Sequence, residues 1–527
     1  MRILASTAQL RKVMDRYAEL SREQLVARLY AYEKHGPPAK TPAAAAAAAA
    51  APSATAPAPT PAESKSRKKK HKDDGKTFSF GVHPTRHVAL LVAYHGWPYS
   101  GLAIQPTSAF DTVEGELLKA LEKCRLVEPG KGWEGCGFSR CGRTDRGVSG
   151  EGQVLSLWIR SNRKEGDGGY ALGDGWRAAT EEKPPKPAAV KAEPEGGEAA
   201  EAEGSESTAK AKAKTKKEPK PQPKSEPAEI AYPRLLNGVL PPSIRILAWS
   251  PVAADFDSRF STEYRHYKYA FHQHAIHGRP PLDLQRMEEA AALLLGEHDF
   301  RNFCKLDGSK QIENHSRRVI KAWFEPGPLP DQIVFNLIGT AFLWHQVRHI
   351  IAVLFLVGSG LEQPSIVSDL LDVHRFPGKP GYNMGHPLPL TLHRCEYKPG
   401  TLDWRFGPYD GPWGDLEGEA REKVRAEAET GLDQFERQLE SARQEAEIRA
   451  WQVGGALRRV KEVLGEPTLL EDTNHVVTGA GETFHTKTWH PVAQRPMGDT
   501  PETTNRKWRE QKTRTGKLPA HLKADDE

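Results

Sequence analysis

One short stretch carries the strongest signal in this sequence: Gly137-Phe138-Ser139-Arg140-Cys141-Gly142-Arg143-Thr144-Asp145-Arg146-Gly147-Val148-Ser149-Gly150. It places one carboxylate, that of Asp145, between two arginines, Arg143 and Arg146. Residues 153–160 then alternate as a β-strand does. Asp145 is therefore predicted to lie on a tight loop leading into a sheet, where glycines allow positive φ and close approach of a ligand. Taken alone, the loop is more typical of a surface that pairs its own charges.

The composition excludes several classes of protein. The chain has 527 residues, 38% hydrophobic, which is too long for one ordinary core and too polar for a chain folded throughout. The net charge of +5 does not by itself indicate a nucleic-acid partner. Five scattered cysteines predict reduced thiols, and their spacing predicts no metal site. No apolar run is long enough to span a membrane, and no nucleotide-binding fingerprint occurs, so no cofactor is expected.

Composition also divides the chain into parts. These are an N-terminal helical segment (1–35), a disordered Ala/Pro and basic linker (36–76), a first folded part (77–250) interrupted by a disordered Lys/Glu/Ala/Pro insertion (161–229), a second folded part (251–400), and a charged extension (401–527) with a helix over 415–465 and a disordered tail from about Gly498.

Two segments outside the folded parts leave alternatives open. The run Lys65-Ser66-Arg67-Lys68-Lys69-Lys70-His71-Lys72 fits a nuclear-import signal, an RNA-contacting tail or a solubilising charge run. In the extension, Leu432, Phe435 and Leu439 recur at spacings of three and four, which is typical of an amphipathic helix that can form a coiled coil. A protein that is chiefly a coiled-coil scaffold is disfavoured, because this helix is short relative to the chain.

Two further patterns suggest a site. Residues 265–269 alternate as a strand with Arg265, Tyr267 and Tyr269 on one face, which suits stacking on bases and contact with phosphates but equally a packed sheet face. Arg348 lies in an otherwise apolar helix that starts near Phe342. A buried arginine is costly unless it faces an anion, so Arg348 requires a carboxylate or a phosphate.

Taken together, these segments resemble the TruA family of tRNA pseudouridine synthases. The resemblance rests on five motifs in the family's order: 141–150, Phe256-Asp257-Ser258-Arg259-Phe260-Ser261, Arg265-His266-Tyr267-Lys268-Tyr269, Leu295-Gly296-Glu297-His298-Asp299-Phe300 and Ala341-Phe342-Leu343-Trp344-His345-Gln346-Val347-Arg348. It covers about 77–400 without the insertion. The amino-acid sequences of 101–105 and 344–348 are most similar to those of the eukaryotic branch of the family, which modifies positions 38 and 39 of the tRNA anticodon arm.

The resemblance implies an α+β fold of two α/β subdomains, with largely antiparallel sheets that meet at a basic RNA-binding cleft. It implies an isomerase that needs no cofactor, with Asp145 as the catalytic carboxylate and Arg143 helping to displace the target base. Tyr267 corresponds to the family's tyrosine that stacks on that base. Arg348 is expected within salt-bridge distance of Asp145. Further contacts to the substrate are expected from Arg146, Arg259 and Arg265.

The resemblance also sets expectations about partners. The partner is tRNA, bound through its anticodon arm, and no membrane is expected. A homodimer is one available assembly, since bacterial members are homodimers. The expected location is the nucleus and the cytoplasm. The alternatives are a synthase acting on another tRNA position, and a tRNA-binding or folding protein without turnover, which the intact Asp145, Tyr267 and Arg348 argue against.

Overall fold

The computed structural model describes residues 78–105, 111–164, 173–181, 229–275, 279–411, 417–465 and 474–519. The predicted helix over 1–35 and the basic run at 65–72 lie outside these residues. Within the described part of the chain, no helix is both long and apolar enough to cross a membrane.

The described elements are strands and helices intermixed along the chain. The strands are β1 (Thr85–Tyr94), β2 (Ser139–Arg140), β3 (Ser149–Arg160), β4 (Trp176–Arg177), β5 (Ile244–Pro251), β6 (Thr262–His272), β7 (Gly296–Asp299), β8 (Ser316–Pro326), β9 (Gln332–Gly339), β10 (Leu390–Tyr397), β11 (Asn474–Gly479) and β12 (Glu482–Thr486). The α-helices are α1 (Val113–Lys123), α2 (Tyr232–Asn237), α3 (Leu284–Ala292), α4 (Gln346–Gly358), α5 (Ile366–Leu371), α6 (Gly418–Leu464) and α7 (Pro501–Arg514).

The first ten strands form one sheet, in the order β4-β1-β3-β10-β6-β9-β8-β7, with β5 beside β1 and β2 beside β3. The pairings are antiparallel except between β3 and β10, where Thr391 pairs with Ser149 and Leu392 with Gly150. The predicted mixed α/β class with a largely antiparallel sheet is confirmed. The two sheets expected from the resemblance are joined by this short parallel pair.

Two hydrophobic cores lie against the two halves of the sheet. Helix α1 packs one half because Val113, Leu117 and Leu121 face inward, and Thr112 caps its N-terminus by accepting a hydrogen bond from the Gly115 N–H. Helix α4 is buried along its whole length in the other half. Each fully buried Leu, Ile or Phe side chain contributes roughly 1.5–3 kcal/mol, so α4 is a rigid support for whatever its first turn carries.

The predicted disordered insertion is wrong at its ends. Within 161–229, residues 173–181 pack on the fold, with Arg86 paired to Trp176 in the sheet. Ser161 donates a 2.6 Å hydrogen bond to Glu229, which joins the two ends of the insertion. Arg163 lies 2.9 Å from Asp410 in an ion pair that is almost fully buried. Composition indicated solvated charges here, whereas these charges satisfy one another inside the protein.

The prediction of a disordered tail from about Gly498 is wrong over 498–519, the part of it that the structure describes. Helix α7 begins there, with Thr500 as its N-cap and Pro501 in its first turn, and the β11–β12 hairpin precedes it. Its Trp508 lies so close to Gly308 that a Cβ there would approach within 2.7 Å. The helix is polar apart from a few anchors such as Trp508, and composition therefore resembled that of a disordered segment.

The ends of the insertion provide a test of these contacts. Replacing 182–228 with a Gly/Ser linker of about 20 residues should leave the free energy of unfolding nearly unchanged. Replacing 161–229 with the same linker should lower it by about 3–5 kcal/mol, because Arg86 and Asp410 lose buried partners. Denaturant unfolding of both variants measures the difference. Equal stability would show that the buried charges contribute nothing.

Candidate active site

The loop that carries Asp145 is held at several points by the surrounding strands. Gln153 donates a 2.7 Å hydrogen bond to the Gly142 carbonyl, and the Tyr94 hydroxyl lies 2.7 Å from the Thr144 hydroxyl. The Leu102 N–H donates to the Thr144 carbonyl. Gly147 has φ +80°, a conformation that other residues rarely adopt. The carboxylate that follows Thr144 is therefore presented on a rigid turn.

Asp145 and Arg348 meet at the start of helix α4, as the sequence predicted. An Arg348 Nη1 lies 3.9 Å from an Asp145 carboxylate oxygen, and the side chains are 10% and 23% exposed. Arg348 also donates from Nε to the Gly385 carbonyl at 2.8 Å. The guanidinium is thereby fixed between a carboxylate and a main-chain oxygen, which restricts the direction in which it can point.

Burial and charge act in opposite directions on the Asp145 carboxyl. Burial raises its pKa above the ordinary range, and the Arg348 guanidinium, a hydrogen bond from Trp344 and the Lys305 ammonium oppose this rise. Burial lowers the pKa of Arg348, and Asp145 opposes that change. Arg348 therefore favours the ionised carboxylate, as expected from the sequence, but it does not fully offset the cost of burial.

His345 belongs to the site although the sequence reasoning did not single it out. Its Nε2 lies 3.5 Å from the Asp145 carboxylate. Burial and the nearby Arg348, Lys305 and Lys379 lower the pKa of His345 to about 4, so the imidazole is neutral at neutral pH. His345 precedes helix α4 with φ +64°, which turns its side chain toward Asp145. The sequence places this histidine immediately before the helix that carries Arg348, and this position could have indicated its role.

Trp344 and Lys305 also contact this site and were missed. Trp344 is 43% exposed, and the Lys305 ammonium lies 4.6 Å from the centre of its indole ring. The Lys305 N–H donates to the Trp344 carbonyl at 3.0 Å, which ties the segment after β7 to the start of α4. Nothing in the sequence spacing links residues 305 and 344, since only the fold brings them together.

Tyr267 lies beneath the Asp145 loop and is 9% exposed. Its ring packs edge-on against Phe342 at 5.2 Å, and its hydroxyl lies 4.0 Å from the position a Cβ would take at Gly142. Burial raises its pKa well above the ordinary value, so the phenol stays protonated. Tyr267 is thus brought to the site, with a ring placed to form one wall of it.

The remaining predicted arginines divide into two groups. Arg143, Arg146 and Arg259 are exposed on the side of the loop. Arg265 instead donates to the main-chain carbonyls of Cys141 at 3.0 Å, Arg259 at 2.8 Å and Thr340 at 2.5 Å. These contacts give Arg265 a role in supporting the loop, and its contact with a substrate stays a prediction.

We searched the described residues for side chains that could together bind a metal ion. No group of three or more His, Cys, Asp or Glu side chains that could hold a metal ion occurs there. The arrangement that does occur is one carboxylate, one guanidinium, a neutral imidazole and a tyrosine ring. Such a set can supply a nucleophile or a base, orient it, and stack a planar ligand.

Comparison with known proteins identifies the family of this chain. The profile of the tRNA pseudouridine synthase family matches residues 290–398. A probable tRNA pseudouridine synthase of Caenorhabditis elegans is 34% identical over 342 residues, which are 63% of this chain and 73% of that protein. The chain therefore belongs to the tRNA pseudouridine synthase family, as its motifs predicted.

Two further relatives carry a more specific name. The tRNA pseudouridine(38/39) synthase of Saccharomyces cerevisiae is 39% identical over 333 residues, which are 63% of this chain and 61% of that protein. The human tRNA pseudouridine(38/39) synthase is 36% identical over 348 residues, which are 63% of this chain and 60% of that protein. The chain thus spans less than two thirds of the length of these two relatives.

Removing Arg348 tests the pair independently of any activity. Arg348→Ala removes the guanidinium that faces the Asp145 carboxylate and donates to the Gly385 carbonyl, so it should lower the free energy of unfolding by about 1–3 kcal/mol. Arg348→Lys should cost less, because it keeps the charge. The exposed Arg143→Ala is the control, with an effect within about 0.5 kcal/mol. Denaturant unfolding that ranked Arg348→Ala with the control would contradict the pairing.

Proposed function

We propose that this protein isomerises uridine to pseudouridine in the anticodon stem-loop of tRNA, at positions 38 and 39. The observation that carries the proposal is the partly buried ion pair between Asp145 on the signature loop and Arg348 on helix α4, 3.9 Å apart. The names of the yeast and human relatives support positions 38 and 39.

The reaction requires no oxidant, reductant or energy source. The N1–C1′ glycosidic bond breaks, the base turns, a C5–C1′ bond forms, C5 loses its proton and N1 gains one. An ionised Asp145 serves each route open to a carboxylate: addition to the sugar, addition to the base, or removal of the 2′ proton. Arg348 favours the ionised form and orients it. Neutral His345, 3.5 Å from the same carboxylate, adds contact without adding charge.

The target uridine must leave its stack to reach Asp145, at a cost of a few kcal/mol. Tyr267 is proposed to stack on the displaced base, and Arg143 to assist its displacement. The exposed Arg146 and Arg259 are proposed to contact phosphates. Phe260 supports an RNA surface beside them, since it is 81% exposed with the Arg259 guanidinium 5.5 Å from its ring.

Helix α6 supports a homodimer. One stripe of this helix carries apolar residues at spacings of three, four or fourteen (two heptads), namely Phe435, Leu439, Val453, Leu457, Val460 and Leu464. Leu457 and Val460 are 57% and 52% exposed. Such a stripe is suited to pair with its copy in a second chain.

We also propose that the protein works in the nucleus and the cytoplasm, for which the basic run at 65–72 is the supporting feature.

Asp145→Asn tests the chemistry. This variant should form no pseudouridine and bind tRNA within a few-fold of the wild type, because the amide keeps the shape of the carboxylate and loses its charge. The exposed Asp111→Asn is the matched control and should retain full turnover. Pseudouridine mapping at positions 38 and 39, in transfer RNA from cells that lack the protein, tests the site of action. If pseudouridine is lost at another position in those cells, that position replaces 38 and 39 in the proposal. Turnover by Asp145→Asn would refute the mechanism.

The pH dependence follows from the raised pKa of Asp145. If the ionised form is required, activity should fall as pH drops through that pKa, with a midpoint above that of an ordinary aspartate. Arg348 lowers this pKa, so Arg348→Gln should shift the acid limb to higher pH in whatever activity remains. Single-turnover rates measured across pH give the acid limb of the wild type and that of Arg348→Gln. An Arg348→Gln limb at or below the wild-type pH would contradict the assignment.

The dimer is tested on the stripe of α6. Leu457→Glu with Val460→Glu should convert the protein to a monomer in light scattering, because charges replace the apolar contact. Gln444→Glu places a charge on the opposite side of the same helix and should leave the mass unchanged. A wild-type monomer, or a double variant that remains dimeric, would exclude α6 as the dimer contact.

A further inference from the structure

The C-terminal hairpin β11–β12 packs against helix α4, which carries Arg348. It belongs to residues 474–519, which follow the end of the family-profile match at residue 398. Strand β11 packs against helix α4, and its residues Val477 and Thr478 are buried. A segment so far from the signature loop in sequence therefore contacts the helix that supplies the guanidinium of the site.

A chain of hydrogen bonds connects the hairpin to that guanidinium. The Tyr269 hydroxyl lies within hydrogen-bond distance of two carbonyls, that of His386 at 2.8 Å and that of Thr478 at 3.1 Å, which share its one proton. The His386 N–H donates to the same Thr478 carbonyl at 2.7 Å. Gly385, the residue before His386, accepts from Arg348 Nε at 2.8 Å and donates its N–H to the Arg348 carbonyl at 2.9 Å. Residues 385–386 thus lie between the hairpin and Arg348.

The space around these residues is closely filled. A Cβ at Gly385 would come within 2.7 Å of Ile351 and 3.3 Å of the Tyr269 hydroxyl. A Cβ at Gly479 would come within 2.3 Å of the same hydroxyl, and Gly479 has φ +90°. Tyr269 is fully buried. The hydroxyl is therefore held from both sides, and a shift of the hairpin is transmitted to the 385–386 segment.

We propose that the β11–β12 hairpin and Tyr269 position Arg348 for the reaction. They fix the Gly385 carbonyl, and this carbonyl directs the guanidinium toward Asp145. Tyr269 acts here through Arg348 and is a positioning residue. This inference rests on the proposed function, because it assigns the hairpin to the same site. It makes the C-terminal segment a part of the catalytic unit.

Tyr269→Phe is the direct test, since it removes one hydroxyl and keeps the packed ring. We expect kcat to fall about 10- to 100-fold with KM nearly unchanged, as for a small displacement of a catalytic group. The acid limb of the pH profile should move to higher pH, because a displaced Arg348 no longer lowers the pKa of Asp145 to the same extent. Lys305, Trp344 and His345, which also face this carboxylate, are unchanged in the variant.

Tyr232→Phe is the matched control. Tyr232 is also fully buried, and its hydroxyl donates to the Arg160 carbonyl in the other core. A merely structural role predicts that both variants lower the melting temperature and neither changes kcat or the acid limb. A positioning role predicts the kinetic change in Tyr269→Phe alone. In an Arg348→Lys background, Tyr269→Phe should lower kcat by a smaller factor than it does in the wild type, since both changes act on one contact.

Gly479→Ala keeps Tyr269 intact and tests the hairpin itself. Its Cβ displaces the Tyr269 hydroxyl, so it should reproduce the loss of kcat and the shift of the acid limb. Unchanged kcat and acid limb in folded Tyr269→Phe and Gly479→Ala would overturn the inference while the wild type remains active. A wild type that forms no pseudouridine in tRNA would instead refute the proposed function, so the two failures are distinguishable.

Discussion

A partly buried ion pair, Asp145 with Arg348, sets the requirements that the surrounding structure meets. Neither charge would be stable at its position alone, because burial penalises both charged forms. Each partner is accordingly held by neutral groups. The Asp145 loop is held by Tyr94, Gln153 and Leu102, and Arg348 is held by the Gly385 carbonyl. The cost of bringing the charges together is met during folding, and the site is preorganised when a substrate arrives.

The same requirement explains why α4 is so apolar. A helix buried along its whole length cannot shift without disrupting a core, and interiors are packed as densely as organic crystals. Its first turn therefore presents Arg348 at a fixed height relative to the sheet. Arg265 fixes the position of the Asp145 loop in a similar way, because its guanidinium donates hydrogen bonds to the main-chain carbonyls of Cys141, Arg259 and Thr340. A residue that resembles a phosphate ligand in sequence thereby supports the loop.

Sequence patterns were sufficient where local rules and motif identity decide the outcome. The strand after the signature loop, the apolar helix with its required anion, and the Asp145–Arg348 contact all followed from such patterns. The contact between Lys305 and Trp344 depends on long-range packing, which spacing along the chain does not encode. Burial also exceeds the effect of Arg348 on the Asp145 pKa, a balance that only three-dimensional surroundings determine.

Composition failed where charged or polar residues satisfy one another or depend on few anchors. The composition of 161–229 predicts disorder, yet Arg163 and Glu229 are buried with partners. Helix α7 is polar apart from anchors such as Trp508, so its composition also resembles that of a disordered segment. Average composition does not predict structure where a few residues make the contacts.

The parallel junction of the sheet has a mechanical consequence. Strands β3 and β10 are joined by only two residue pairs, at Ser149 and Gly150, and the Glu151–His393 contact of 2.6 Å lies beside them. Asp145 precedes β3 on one half of the sheet, whereas Arg348 belongs to the other half. The main chain thus joins the halves at few points here, and side chains such as that of Arg265, which donates to the Cys141 carbonyl, add to the junction. The Asp145–Arg348 ion pair crosses between the same two halves, so it also helps to hold them together.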